Sequence, residues 1–314
     1  MTDPFDEKIL KPMLIGETGE AFDSSDYIHE LKLDGIRCLA YLGDDLTELR
    51  NKRNLRVSTI YPELSQIHEQ VKGRCILDGE VFVMQNGKPY FAEIKRRALM
   101  SNPFKISLAA QKLPVSFTAF DIVYKDGELL NHLPLMQRKE ILSQTVTESE
   151  RLSVSRIIDT QGIALYRLTE EQGLEGIVSK RKDSKYYFDK RTKDWIKVKN
   201  LLDEDFVVCG YITKAQEDRN VTSLILGTYN ESGQLVNQGH VTLGLSKEEF
   251  GIISRHPALL RPPFETVEEG AVYIQPALVC TVKYMERTSG GGLRQPVFKG
   301  LRYDKDAKEC AHLG

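Results

Sequence analysis

The stretch Glu30-Leu31-Lys32-Leu33-Asp34-Gly35-Ile36-Arg37 decides how this 314-residue chain reads. An apolar, β-branched run over Tyr27–Leu33 predicts one strand, and Ile36–Leu42 predicts another. Asp34-Gly35 between them is a turn signal, so the octet alone predicts an ordinary hairpin with a lysine ending its first strand. A lysine amine becomes a nucleophile only after losing its proton, which burial or nearby positive charge promotes. Trp195-Ile196-Lys197-Val198-Lys199 offers such charge. Alternation along a strand puts Lys197 and Lys199 on one face and Ile196 and Val198 on the other. Paired lysines of this kind ordinarily face water; here they close a basic stretch and are candidates for gripping phosphates.

Outward from these two segments, further strands are predicted at Cys75–Met84, Val115–Tyr124 and Gly176–Ser179. Helical patterns cover Leu135–Gln144, introduced by Pro134, and Ile163–Gln172, closed by Gly173. Regular βαβ alternation is absent, which argues for an α+β domain of antiparallel sheets with helices rather than a doubly wound sheet. From about residue 203 the texture changes. Strands are predicted at Asp205–Thr213, Thr222–Tyr229, Leu235–Leu243 and Ala277–Met285, with a turn at Asn230–Gly233 and a helix near Lys247–Ser254. That pattern suggests a small barrel. The domains are therefore expected at residues 1–201 and 202–314, with the boundary between 200 and 203.

Two acidic motifs, Leu77-Asp78-Gly79-Glu80-Val81 and Leu174-Glu175-Gly176-Ile177-Val178, are expected at strand ends, where a carboxylate can meet a sugar hydroxyl or a divalent cation. Asp126-Gly127-Glu128 shows how weak such a triplet is alone, since it reads as a plain hairpin turn. Phe120-Asp121 sets an aromatic beside an acid, as a base-stacking platform or as core. The glycines Gly290–Gly292 precede Arg294, Lys299, Arg302 and Lys305. No Gly-Lys-Ser/Thr follows them, so they do not form a P-loop and read as a mobile approach to a basic cluster.

Composition narrows the class. A chain of 41% hydrophobic and 28% charged residues has ample core and is not disordered. No apolar run approaches a membrane span, and the acidic first 30 residues do not read as a secretory signal. Five scattered cysteines form neither a disulfide framework nor a zinc spacing, so a cytoplasmic protein is expected. The net charge of −2 argues against a coating protein, whereas Ser179–Asn200 packs nine Lys and Arg against three Asp. This stripe is either a solvated face or a track for a polyanion, with Lys180, Lys182 and Lys185 as its candidate contacts.

Singly these signals are weak, but their order and spacing occur together. Lys-x-Asp-Gly-x-Arg, Asp-Gly-Glu, Phe-Asp, Glu-Gly-x-Val, Lys-x-Lys and a terminal Arg-x-Pro…Gly-x-Arg-x-Asp-Lys resemble the covalent nucleotidyltransferases, most closely the ATP-dependent DNA ligases. Pro12-Met13-Leu14, Gly173–Val178 and Asp194–Lys199 are similar to the ligase module of bacterial end-joining enzymes. The resemblance covers residues 10 to 306 and implies an adenylation (nucleotidyltransferase) domain followed by an OB-fold β-barrel. It implies that Lys32 attacks the α-phosphorus of ATP and carries AMP. Glu30 would meet the adenine amino group, Leu33 would line the nucleotide site, Phe120 would stack on the base, and Arg37 and Glu80 would hold the ribose. Asp34 and Glu175 would organise Mg2+ or Mn2+, and Lys197 and Lys199 would grip the α-phosphate. Arg294, Arg302, Asp304 and Lys305 would orient pyrophosphate. Arg50-Asn51-Lys52-Arg53-Asn54 stands where related ligases show Ser-Arg, leaving Lys52 and Arg53 as alternative contacts to the nick.

An RNA-capping guanylyltransferase or an RNA ligase uses the same lysine chemistry. Asp34 argues against RNA ligases, commonly Glu there, and the likeness around Leu174–Lys199 argues against capping. NAD-dependent ligases carry a nicotinamide-binding domain before the lysine; only 31 residues precede Lys32, so ATP is expected. A non-catalytic OB-fold nucleic-acid-binding protein would have lost pocket residues that are all present. The expected protein is a stand-alone, monomeric ligase of bacterial type, acting on nicked duplex DNA at the nucleoid. A Ku-type end-binding partner is implied by resemblance.

Overall fold

The computed structural model describes residues 3–216, 219–265, 267–288 and 290–311. The chain divides into two compact units, Met1–Asn200 and Leu201–Gly314. In the first unit two large sheets form, beside a two-stranded pair of Met84–Gln85 and Lys88–Pro89. One has the strand order Leu14–Thr18, Arg191–Lys199, Gly176–Arg181, Ser24–Leu31, Ile158–Thr160. The other runs Leu152–Val154, Ser116–Lys125, Cys75–Phe82, Ile36–Gly43, Leu46–Asn51, with Glu128–Leu129 paired to Ser116–Lys125. Most neighbours are antiparallel, but the strands Leu14–Thr18 and Leu152–Val154 join parallel to theirs.

The Asp34-Gly35 turn is not a hairpin. Ser24–Leu31 belongs to the first sheet and Ile36–Gly43 to the second, so Lys32–Gly35 is a crossing between them. The strand stops at Leu31, which leaves Lys32 and Leu33 on the crossing itself. Gly35 is required there because an added Cβ would lie 2.2 Å from the Val81 carbonyl oxygen. The expectation failed because a turn signal says where the chain bends and not which sheet the next strand joins.

Ile36–Gly43 is buried along most of its length, and its alternation serves two cores. Leu39 and Tyr41 pack with Ile28, Val178 and Trp195 of the first sheet. Cys38, Ala40 and Leu42 pack with Leu77, Val81, Phe117 and Leu142 on the opposite face. Glu80 lies inside Cys75–Phe82 rather than at a strand end. Gly79 beside it admits Phe117, whose ring would lie 2.4 Å from any added Cβ.

The helices Leu135–Thr145 and Gly162–Gln172 form as expected, the latter ending on Gly173 in the left-handed region. Phe91–Ala98 and Pro103–Lys112 lie outside the expected elements. Their periodicity is masked because Leu99, Phe104 and Leu108 are exposed while Arg97 is buried against Glu63.

The second unit is one antiparallel sheet ordered Leu235–Val241, Arg219–Tyr229, Leu202–Gln216, Ala271–Tyr284, Val297–Arg302. A bridge between Leu243 and Val297 joins its two edges. Its helix Lys247–Ile253 starts on a Ser246–Glu249 capping box. The Gly290–Gly292 run, expected as a mobile approach, is a hydrogen-bonded turn: the Thr288 amide donates to the Gly292 carbonyl at 2.7 Å, and Arg287 and Leu293 pair across it.

Candidate active site

The crossing places Lys32 against the strand that begins after Glu175. Gly176, at φ 130°, lies so close to the strand Arg191–Lys199 that an added Cβ would sit 2.1 Å from the Val198 carbonyl oxygen. The Lys32 amide donates to the Gly176 carbonyl at 2.9 Å. Lys32 Nζ then reaches Glu175 Oε2 at 2.7 Å, and Lys199 Nζ stands 3.8 Å from Glu175 Oε1. Burial pushes the Glu175 carboxyl up, against the pull of Lys32 and Lys199, and the Asp34 charge raises it further. Lys197 is half-buried on the same strand face as Lys199 and Trp195.

Glu80 belongs to the same field. Burial raises its carboxyl to about 8 although Lys32 and Arg37 oppose the shift, and Glu175 and Asp78 add to it. Arg37 is aimed by a bidentate pair to Asp78, with Nε–Oδ1 2.9 Å and Nη2–Oδ2 2.6 Å. The Tyr186 hydroxyl donates to the same Asp78 oxygen at 2.6 Å. Asp78 and Tyr186 thus orient a candidate site arginine, a role the sequence did not reveal because the three residues share no local spacing. The Arg37 guanidinium stands 5.2 Å from the centre of the Phe120 ring. Leu33 and Asp34 are half-buried on the crossing.

Lys180 departs from its expected place. It is 2% exposed, so it does not face a DNA track. Its ammonium donates to Glu30 at 2.5 Å and sits 4.3 Å over the Phe120 ring and 4.2 Å over Trp195. Lys139 holds the other Glu30 oxygen. Burial lowers the Lys180 amine to about 8 against the opposing pull of Glu30. The physical reason is register: Lys180 lies opposite Ile28 and Trp195 in the sheet, and its side chain turns inward beside Trp195.

Lys182 and Lys185 remain at the surface, Lys182 with Asp159 2.6 Å away. Lys52 and Arg53 are exposed on a turn that the Asn51 side chain braces, accepting from the Arg53 and Leu55 amides at 2.9 and 3.1 Å. In the second unit Arg302 pairs with Asp304 and Asp205, Lys305 with Asp205, and Arg294 with Glu286. Lys299 is exposed beside them in sequence.

The ATP dependent DNA ligase domain model matches residues 11–199, and the ATP dependent DNA ligase C terminal region model matches 217–305. The multifunctional non-homologous end joining DNA repair protein LigD of Mycobacterium tuberculosis is 30% identical over 312 residues, which cover 96% of this chain and 39% of that protein. The chain therefore spans well under half the length of that relative. The SPbeta prophage-derived DNA ligase-like protein LigB of Bacillus subtilis is 29% identical, over 93% of this chain and 99% of its own length. The solved structure of mycobacterial DNA ligase D complexed with ATP and MES aligns with a TM-score of 0.56 at 27% identity, covering 96% of this chain and 98% of that one. The first of the two family models alone accounts for more than half of the sequence, including the paired Lys32 and Glu175, and the chain belongs to the ATP-dependent DNA ligases.

Proposed function

We propose that this protein seals 5′-phosphate/3′-hydroxyl nicks in duplex DNA through a Lys32–AMP intermediate. The observation that carries the reading is the convergence of Lys32, Lys199 and Glu175 from three distant segments. The Lys32 nitrogen forms a bond to the α-phosphorus of ATP, the bridging P–O bond breaks, and its electron pair leaves on pyrophosphate. Glu175, 2.7 Å from Nζ, is the acceptor at hand for the departing proton. Lys197 and Lys199 stabilise charge on the α-phosphate. AMP then passes to the 5′-phosphate of the nick, and the 3′-hydroxyl displaces it. Phe120 stacks on the adenine, and Arg37 and Glu80 hold the ribose. Glu30, buried between Lys139 and Lys180, does not face an open site and is not free to meet the adenine amino group as expected.

Among the described residues no group of three or more His, Cys, Asp or Glu is placed to hold a metal ion. Glu175, with Asp34 near it, is instead a donor set of one or two carboxylates. Such a set fits Mg2+, which is commonly bound through one or two carboxylates and which Glu175 and Asp34 would hold. A bound ion would supply charge neutralisation of the phosphates. Lys182, Lys185 and one of Lys52 and Arg53 contact the DNA backbone. Likeness to an end-joining DNA repair protein supports work at DNA ends; a Ku-type partner, a monomeric enzyme and a cytoplasmic location complete the proposal. No helix among the described residues is long and apolar enough to cross a membrane.

Incubation with α-labelled ATP, and separately with labelled GTP and NAD, tests the reading. Label from ATP alone, absent in Lys32→Ala, is expected. Failure of every nucleotide to label would return the chain to a nucleic-acid-binding role.

A further inference from the structure

We propose that Asp205 is a positioning residue for the leaving group, holding the Arg302 guanidinium and the Lys305 ammonium as a two-cation clamp for pyrophosphate. This rests on the reading that the Arg302–Lys305 segment acts on pyrophosphate. Asp205 lies a hundred residues away in sequence, on the strand Leu202–Gln216, opposite Thr281 in the register. Thr281 in turn pairs with Gly300 on the strand that ends at Arg302. The sheet therefore stacks acid, hydroxyl and cation on three successive strands.

The carboxylate is fully committed. Its Oδ1 accepts from the Thr281 hydroxyl at 2.6 Å, and its Oδ2 accepts from Lys305 Nζ at 3.0 Å and Arg302 Nη1 at 3.3 Å. Burial opposes the ionised form, yet Thr281, Lys305 and Arg302 hold the Asp205 carboxyl below its usual value. The side chains grade outward: Asp205 is 14% exposed, Lys305 26% and Arg302 40%. An anion at the base of two cations cancels their mutual repulsion and fixes their spacing while both side chains stay partly exposed. Asp304 takes the remaining edge of Arg302 with two bonds of 2.7 Å, but it is 68% exposed and can yield to an incoming phosphate. Asp205 cannot yield in this way, because Thr281 locks its other oxygen.

The test compares Asp205→Asn, Arg302→Ala, the combined Arg302→Ala/Lys305→Ala variant and that variant with Asp205→Asn added, all in the full chain. Two rates are measured: single-turnover formation of Lys32–AMP at saturating ATP, and sealing of a pre-adenylated nick. Asparagine keeps an acceptor for Thr281 and removes only the charge. Asp205→Asn is expected to slow adenylation about tenfold or more and to leave pre-adenylated sealing within about twofold. Adding Asp205→Asn to the combined Arg302→Ala/Lys305→Ala variant should slow adenylation no further, since both residues being positioned are already gone. Adenylation at or above the normal rate in Asp205→Asn would make Asp205 a competing anion and overturn the proposal. Equal losses in both reactions would make it structural, and a further loss on top of Arg302→Ala/Lys305→Ala would show that it acts apart from the two cations. If Arg302→Ala itself adenylates normally, the pyrophosphate reading fails first, a result recognisable without the Asp205 variants.

Discussion

Lys32 and Glu175 stand 143 residues apart in the chain and 2.7 Å apart in space. The contact joins the crossing between two sheets to the start of a strand, so the proposed nucleophile is held by backbone geometry on both sides. It also sets a carboxylate, raised by burial, against the amine that must lose a proton. The first prediction follows. Glu175→Gln keeps the shape and removes the charge, and it should slow Lys32–AMP formation and pre-adenylated sealing alike, each by about 10²-fold or more. A loss confined to the first reaction would limit Glu175 to lysine activation.

Lys182 and Lys185 are surface cations near the end of the strand that carries Lys180. If they track the phosphate backbone, charge reversal at both should weaken binding to nicked duplex and flatten its salt dependence. Loss of two phosphate contacts corresponds to a change of about 1.8 in the slope of log K against log salt. Lysine adenylation should stay near normal. An unchanged slope, read from binding isotherms at several salt concentrations, would return this stretch to a solvated face.

Glu80 predicts a pH dependence of stability. Its folded carboxyl is raised from 4.5 to about 8, so between these values the folded chain keeps a proton that the unfolded chain has released. More protons on the folded state mean that stability falls as pH rises through this window. Glu80→Gln should flatten that decline in denaturant titrations between pH 5 and 8. A decline of the same steepness in the variant would assign it to other groups.

Glu30 bridges two buried lysines, Lys139 and Lys180. Glu30→Gln leaves both without their counter-charge and should cost about 3–5 kcal/mol of stability. Glu30→Gln combined with Lys180→Met removes one stranded charge and should recover part of the loss. A double variant less stable than Glu30→Gln would show that Lys180 contributes chiefly through its contacts with Phe120 and Trp195.

The sequence by itself determined the element types where one pattern ran uninterrupted. Ile36–Gly43, Ser116–Lys125, Leu135–Thr145 and the turns at Asp126-Gly127 and Asn230–Gly233 were legible because local propensity and burial agree there. It also determined the family, since the motif order survives without knowledge of contacts. It missed the helices between Phe91 and Lys112, where exposed Leu99, Phe104 and Leu108 break the apolar period. Only the tertiary structure decided that Asp34-Gly35 carries the chain from one sheet to another, that Asp78 and Tyr186 aim Arg37, and that Lys180 turns inward to Glu30. Strand alternation assigns a residue to a face, but whether that face meets water or a core depends on which sheet packs against it. That packing joins segments more than a hundred residues apart, and no local window of sequence contains both partners.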